Sequence, residues 1–581
     1  MSVVFILIQL ISIILFLKLK KTEKNENIVL WFVLSIIILM CFNIFVTLIF
    51  SILKIKSTIF NLSILYIILN IFMVFGIFKS KQTQKYLIKK QDIIISLSIL
   101  VIVFIIAYVQ YKFPFNIKYI ITDGAVHYNA MVNFYSSSEL LKNVNLLDDF
   151  NTFMTGAYVN SGILLKILSS FLAVKNYFSV FVIFDLLLFW LSGELFYLLI
   201  SKKNTKKSEY LLSFCFTLIY MLGYPLNSLL SGFVYLSLGL DIILAIMILF
   251  KYYFERQNPV IIISISLCTL GLFFSYYYFA PVVYLTIFIK IVLNIKKARK
   301  IHIQDVVKIF YILIIPTILG IYYMFIKEIF TKKYNIPTNV LKIEGEIYQN
   351  FISNIIFFIP FIIYYFIQRN CRKKDIEIKN LFIISILFML VIFIGNRLNR
   401  VSDYYFYKIY YMFWISIIYL TYKAFYELIY SKKMKQKVAS VSIIVYFSGM
   451  FISIIFNKSF YLWDIYKYNY ENIISDKQIS YGSEYLKLVE YYNQNLKSNV
   501  NNVDILTATT AGKMKWQYVL FQNPMLLYPD EDLLSIEDWV EKKTEEYLIY
   551  SKRDYNLEPS ENDKNYEIIL NNSEGSILRR K

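Results

Sequence analysis

Two stretches of the chain carry residue types able to do chemistry at a useful spacing. The first is Ile121-Thr122-Asp123-Gly124-Ala125-Val126-His127-Tyr128-Asn129-Ala130, which continues as an amphipathic helical pattern to about Leu141. In a helix, Asp123 and His127 lie four apart on one face, one turn from each other. A carboxylate with an imidazole above it suits a general base or a divalent metal. Asp before Gly at a helix start is also a good N-cap, and the two roles are compatible. His127 reads equally as a packed histidine. Asp148-Asp149 follow and offer more oxygen ligands, although a solvated acidic turn explains them as well.

The second stretch is Gly395-Asn396-Arg397-Leu398-Asn399-Arg400-Val401-Ser402-Asp403, with Lys408 a little further on. Guanidinium forks bind phosphate oxygens in pairs, and an ammonium acts as a point charge. Arg397, Arg400 and Lys408 therefore form a candidate anion clamp. The bland alternative is contact with lipid head groups, with Lys408 snorkelling to the interface. The following run is dense in tyrosine (Tyr404, Tyr405, Tyr407, Tyr410, Tyr411, Tyr419, Tyr422), which suits a sugar or prenyl groove or ordinary packing and interfacial anchoring. Gly223-Tyr224-Pro225-Leu226-Asn227 and Ser275-Tyr276-Tyr277 read as turns that narrow a cavity, and 327–350 as a flap. No GxGxxG, Walker A, HExxH or GxSxG motif stands in a credible context.

These residues need elements to hold them. Of the 581 residues, 58% are hydrophobic and 17% charged, against roughly 45–50% and 25% in soluble chains. Runs of about 20 apolar residues recur. A soluble enzyme, a disordered regulator and a collagen-like fibre are excluded. The hydropathy predicts about fourteen spans, near 3–18, 28–53, 57–78, 92–110, 177–200, 208–222, 231–250, 259–275, 277–294, 304–326, 351–367, 380–395, 404–429 and 438–456. The first lacks a basic leader and a cleavage site, so it reads as a retained span.

Charge then sets orientation. Seven alternate loops hold 29 Lys/Arg in 71 residues, and the opposite loops hold 13 in 111. The basic set is assigned to the cytoplasm. The net charge of +20 is therefore a topology signal plus contact with anionic lipid, not a nucleic-acid footprint. On this orientation the loop 111–176, the loop 327–350 and the tail 457–581 face outward. The tail carries 15 Lys/Arg and 20 Asp/Glu. It predicts a strand over Asp504–Thr509, a helix over 535–546 and a strand over Tyr547–Tyr550. The expected architecture is an all-α polytopic membrane bundle over 1–456 with a small C-terminal extracytoplasmic α/β domain over 457–581.

Four cysteines without a CxxC pair and two histidines argue against a disulfide framework and a zinc site. The wealth of Ile, Lys, Asn and Tyr suggests an AT-rich bacterial genome. Asp185, Glu194, Asp241, Lys423 and Glu427 are ionisable residues inside spans and so candidates for a transport path, although Lys423 and Glu427, four apart, also suit a local ion pair.

The layout resembles the GT-C class of integral membrane glycosyltransferases. The likeness rests on Asp123 with His127 in the loop after the fourth span, on Gly223-Tyr224-Pro225 followed by Gly232 and Gly239, and on Arg397 and Arg400 before an aromatic span. Many members carry two acidic residues close together in that loop; here Asp123 stands alone in the motif, so metal dependence stays open. The resemblance implies a polyprenyl-phosphate sugar donor in the plasma membrane and a cell-envelope glycan or lipid acceptor on the outer face. Asp123 would be the base, His127 would orient the acceptor or tune Asp123, and Arg397, Arg400 and Lys408 would neutralise the departing phosphate. Tyr224 would line the donor site. One displacement would invert the anomeric centre. Two other readings stay open: a transporter or flippase of a lipid-linked saccharide, which would make Asp185, Glu194 and Asp241 central, and a non-catalytic envelope assembly factor working through its tail.

Overall fold

A computed structural model describes residues 2–19, 26–80, 86–87, 89–111, 123–139, 155–171, 177–201, 206–256, 259–298, 307, 309–322, 345, 347–368, 375–431, 464–474, 483–496, 502–506, 545–552, 558–561 and 564–581. Among them, nine helical stretches are long and apolar enough to cross a membrane. At 1.5 Å per residue, the 25 residues of Ile28–Ile52 or Tyr177–Ser201 exceed the ~30 Å hydrocarbon layer. The fold is that of a multi-pass membrane protein. Helix Val234–Arg256 sits at the centre, and nearly all of its apolar stretch is buried. Ser2–Leu19 and Ile59–Ser80 are peripheral. Phe72, Phe75 and Phe78 stand outward from the latter, each more than two-thirds exposed. In water such a stripe would drive association; against lipid it is the expected surface.

Buried polar side chains join the helices where apolar contact alone is weakly directional in lipid. Asn43 Nδ2 donates to Asn160 Oδ1 at 3.0 Å, Tyr66 Oη donates to Asn43 Oδ1 at 2.7 Å, and Asn160 Nδ2 donates to the carbonyls of Met40 and Gly156. Tyr197 Oη donates to Asp92 at 2.7 Å. Near the far end of the bundle, Asp375 adopts φ 51° and accepts from Tyr419 and Tyr365 with Lys251 3.6 Å away.

The long loop 111–176 is not a plain connector. It contains helix Asp123–Ser137 and a second helix, Thr155–Phe171, which pack on each other and on the bundle. Asp148-Asp149 lie outside the described residues, as do most of 327–350, the predicted span 438–456 and the predicted helix 535–546. The stretch 223–227, expected as a turn, is mostly helical: after a break at Gly223, helix Tyr224–Ser231 begins with Pro225 in its first turn, where a missing N–H is harmless. It ends at Gly232 with φ 70°, a left-handed cap suited to glycine. The predicted span 351–367 is two short helices, Phe351–Ile355 and Ile359–Ile367, with Pro360 opening the second.

The tail begins with helix Asp464–Ile474, which packs into the bundle. Beyond it lies a mixed sheet. With Glu26–Asn27 (β1) and Tyr86–Leu87 (β2) forming a short parallel pair elsewhere, the tail strands are Val503–Leu506 (β3), Tyr547–Ser551 (β4), Tyr566–Asn571 (β5) and Gly575–Arg580 (β6), in the order β3-β4-β6-β5. β3 and β4 are parallel; β6 runs antiparallel to both β4 and β5. Alternation sends Val503, Ile505, Ile549 and Ile577 to one face, covered by Leu488, Tyr492 and Leu496 from the 483–496 segment, while Leu548, Tyr550, Tyr566 and Leu578 gather on the other.

Candidate active site

Several helix ends converge at one end of the bundle. Helix Asp403–Ser431 starts there with Asp403 in its first turn, a favourable charge against the helix dipole. Lys408 lies five residues in and is fully buried. Its ammonium donates to the phenol oxygens of Tyr235 and Tyr404. It also lies 3.7 Å from the ring centroid of Tyr404, 4.5 Å from Phe233, 4.8 Å from Tyr235 and 5.8 Å from Tyr276. Aromatic faces attract a desolvated cation electrostatically, and the phenol oxygens replace part of its lost hydration. Three elements build this cage: the 403–431 helix, the start of the 234–256 helix with Phe233 before it, and the end of helix Pro259–Tyr276.

His127 reaches the same cage from the loop helix. It is nearly fully buried. Its Nδ1 lies 2.6 Å from Tyr158 Oη, and its ring stands edge-on to Tyr235 with centroids 4.5 Å apart. Tyr235 thus touches His127 on one side and Lys408 on the other, across 281 positions of sequence. Asp123 opens the same helix one turn before His127.

Arg397 and Arg400 stand elsewhere in the same neighbourhood. They are exposed, on the last turn of helix Ile376–Arg397 and in the turn that leads into the 403–431 helix. Arg397 lies 5.0 Å over the Phe393 ring. Asn399 closes the turn at φ 54°, and Asn396 Nδ2 donates to Asp403 at 2.8 Å. The two guanidiniums are thus exposed, whereas the ammonium is buried.

Tyr224 is fully buried in an adjoining aromatic cluster, 4.9 Å from Tyr411 and 5.3 Å from Trp414. Tyr411 continues to Phe233 of the cage at 6.4 Å. From the segment before the 351–355 helix, Gly345 lies against Tyr404: a Cβ there would meet the Tyr404 ring at 2.8 Å. Asp185, Glu194 and Asp241 are fully enclosed within the bundle, Asp241 six residues beyond Tyr235 on the same helix. Among the described residues no group of three His, Cys, Asp or Glu side chains converges to hold a metal.

Sequence reasoning singled out His127, Lys408 and Tyr404 but missed Tyr235, Phe233 and Gly345. Tyr276 was visible only as part of a turn. Nothing in the local pattern distinguishes Tyr235 among 51 tyrosines; only tertiary contact does.

No family model matches the chain, and no curated protein matches it. Among solved structures it is similar to ArnT from Cupriavidus metallidurans bound to undecaprenyl phosphate, with 8% identity over 84% of this chain and 97% of that one, and a TM-score of 0.45. At that identity and score no residue role passes from one chain to the other.

Proposed function

We propose that this protein is a membrane glycosyltransferase that moves a sugar from a polyprenyl-phosphate carrier to a cell-envelope acceptor at the outer face of the membrane. The observation that carries the reading is the meeting of His127 and Lys408 on Tyr235 at one end of the bundle. A cation enclosed by aromatic rings beside an imidazole suits a phosphate ester whose leaving group gains negative charge. The exposed Arg397 and Arg400 guide and hold that phosphate from the rim, and Lys408 meets it from within. Preorganised positive charge is most effective where water is excluded.

In the proposed step the Asp123 carboxylate takes the proton of an acceptor hydroxyl. The acceptor oxygen bonds to the anomeric carbon as the bond from that carbon to the phosphate oxygen breaks. Polyprenyl phosphate leaves with the electron pair, and the anomeric centre inverts. His127 orients the acceptor or tunes Asp123, and Tyr224 backs the donor pocket. On the orientation read from the charge distribution the tail 457–581 also faces outward, and its sheet would offer a surface for the acceptor.

Purified protein incubated with a panel of polyprenyl-phosphate sugars is expected to consume one of them, and Asp123→Asn to slow that consumption at least about 100-fold. Transfer at the parent rate by Asp123→Asn would falsify the base assignment. A flippase reading draws instead on Asp185, Glu194 and Asp241. It is favoured if Asp241→Asn abolishes movement of a labelled lipid-linked saccharide across vesicles while no donor is consumed.

A further inference from the structure

We infer that Tyr235 is a positioning residue that sets the spacing between His127 and Lys408, an inference that rests on the glycosyl-transfer reading above. Three observations meet in this one side chain. Its phenol oxygen accepts a hydrogen bond from Lys408, and Lys408 Nζ lies 4.8 Å from its ring centroid. Its ring edge packs the His127 imidazole at 4.5 Å. Its hydroxyl is 3.4 Å from that of Tyr404, the other phenol on the same ammonium.

Tyr235 is fully buried and packed against Tyr276, the rings tilted by 49° with centroids 5.3 Å apart. A close-packed ring with only two side-chain torsions is a rigid spacer. Lys408 hangs on four flexible methylenes and His127 on one. Tyr158 holds the imidazole and Tyr404 the ammonium from other sides; Tyr235, lying between the two, fixes their separation, so a phosphate need not set it on arrival. Tyr235 removes that ordering step. A long apolar side chain could fill the same volume, but it could not orient an ammonium.

Chemistry separates this role from plain packing. Tyr235→Phe keeps the ring and its contact with His127 but removes the oxygen. Hydrogen bonds to phenol oxygens favour the charged ammonium, and the variant removes one that Lys408 makes here. Among the described residues, the titratable groups seen to face Tyr235 and Lys408 include His127, Tyr276 and Tyr404.

The test is binding of undecaprenyl monophosphate to the full chain in nanodiscs from pH 6 to pH 10, with undecaprenol as the uncharged control. Tyr235→Phe is expected to bind about tenfold more weakly at neutral pH, with the alkaline loss of binding moved to lower pH and the melting temperature close to the parent's. Tyr404→Phe, which removes the second oxygen from the ammonium, is expected to shift the alkaline limb in the same direction and serves if Tyr235→Phe does not fold. Tyr66→Phe, a core tyrosine that loses its hydroxyl contact to Asn43, is expected to bind as the parent does. Parent protein that prefers the phosphate, with Tyr235→Phe and Tyr404→Phe unchanged in affinity and pH profile, overturns the positioning role alone. Parent protein that does not distinguish the phosphate from the prenol overturns the transfer reading and this inference with it.

Discussion

Lys408 carries its charge into a place where charge is costly. Ring faces and phenol oxygens recover part of the lost hydration and hold the charge in place. Lys408→Met, of similar length and uncharged, is expected to retain the fold and to lose at least about tenfold in affinity for a polyprenyl phosphate, the worth of one charge-assisted hydrogen bond. Equilibrium binding checks it. Gly345 gives a second prediction. Gly345→Ala places a methyl 2.8 Å from the Tyr404 ring, so the ring that holds Lys408 or the backbone at 345 must shift. The expected result is about 1–3 kcal/mol of lost stability and a parallel loss of phosphate binding, read by thermal unfolding and titration.

Lys166, in the second loop helix, allows a prediction in pH. Burial pulls its ammonium down from 10.5 to about 8, while its hydrogens go to the Ser57 carbonyl and Ser138 Oγ. In the window between those two values the unfolded chain holds more protons than the folded one. Stability from this group therefore rises as pH passes from 8 towards 10.5. Lys166→Met should gain on the parent at pH 7 relative to its standing at pH 10.5. Paired melting curves at the two pH values test this, and a constant difference counts against it.

Helices and strands were legible to different depths. The spacing of Asp123, His127 and the apolar positions after them announces helix Asp123–Ser137, although residues 124–131 are buried on every side rather than along one face. Helix Thr155–Phe171 gives no such signal: Gly156, Ala157, Asn160 and Ser161 are small or polar yet buried, since they sit where helices approach closely. β3 and β4 were foreseen from short β-rich runs. β5 and β6 were not, because Tyr566-Glu567-Ile568-Ile569-Leu570-Asn571 breaks strict alternation, and the pairing carries an irregularity between Ile568 and Leu570. The convergence on Tyr235 was illegible, as it joins segments far apart in the chain. Helix Asp464–Ile474 was likewise not foreseen as part of the bundle. Asn469 Nδ2 donates to the carbonyls of Leu222 and Gly223 at 2.9 and 2.8 Å, and its Oδ1 accepts from Asn227. Tyr466 Oη donates to the Ile219 carbonyl at 2.7 Å. Asn469→Leu is expected to cost about 2–4 kcal/mol, several buried partners being orphaned together, and to make the 464–474 helix cleavable by protease. Resistance equal to the parent's counts against this docking role.

For the molecule as a whole, the sided distribution of lysine and arginine makes a definite claim about which way the bundle lies. Lys564→Cys, exposed in the tail, is expected to react with an impermeant maleimide in intact cells, and Lys206→Cys, exposed at the start of helix Lys207–Leu222, only after permeabilisation. The reverse pattern would put the His127–Lys408 end of the bundle in the cytoplasm and remove the envelope acceptor from reach.

Asn469 also has a bearing on biosynthesis. The backbone break at Gly223 is made early in translation, but the amide that satisfies its carbonyls arrives only after roughly 240 further residues have left the ribosome, a delay of tens of seconds at ordinary elongation rates. Until then the Gly223 carbonyl has the Asn227 N–H but not this amide, and the Leu222 carbonyl lacks the amide too. A nascent chain stopped short of residue 469 should therefore be recognised by membrane quality-control proteases, whereas one stopped just beyond the 464–474 helix should persist.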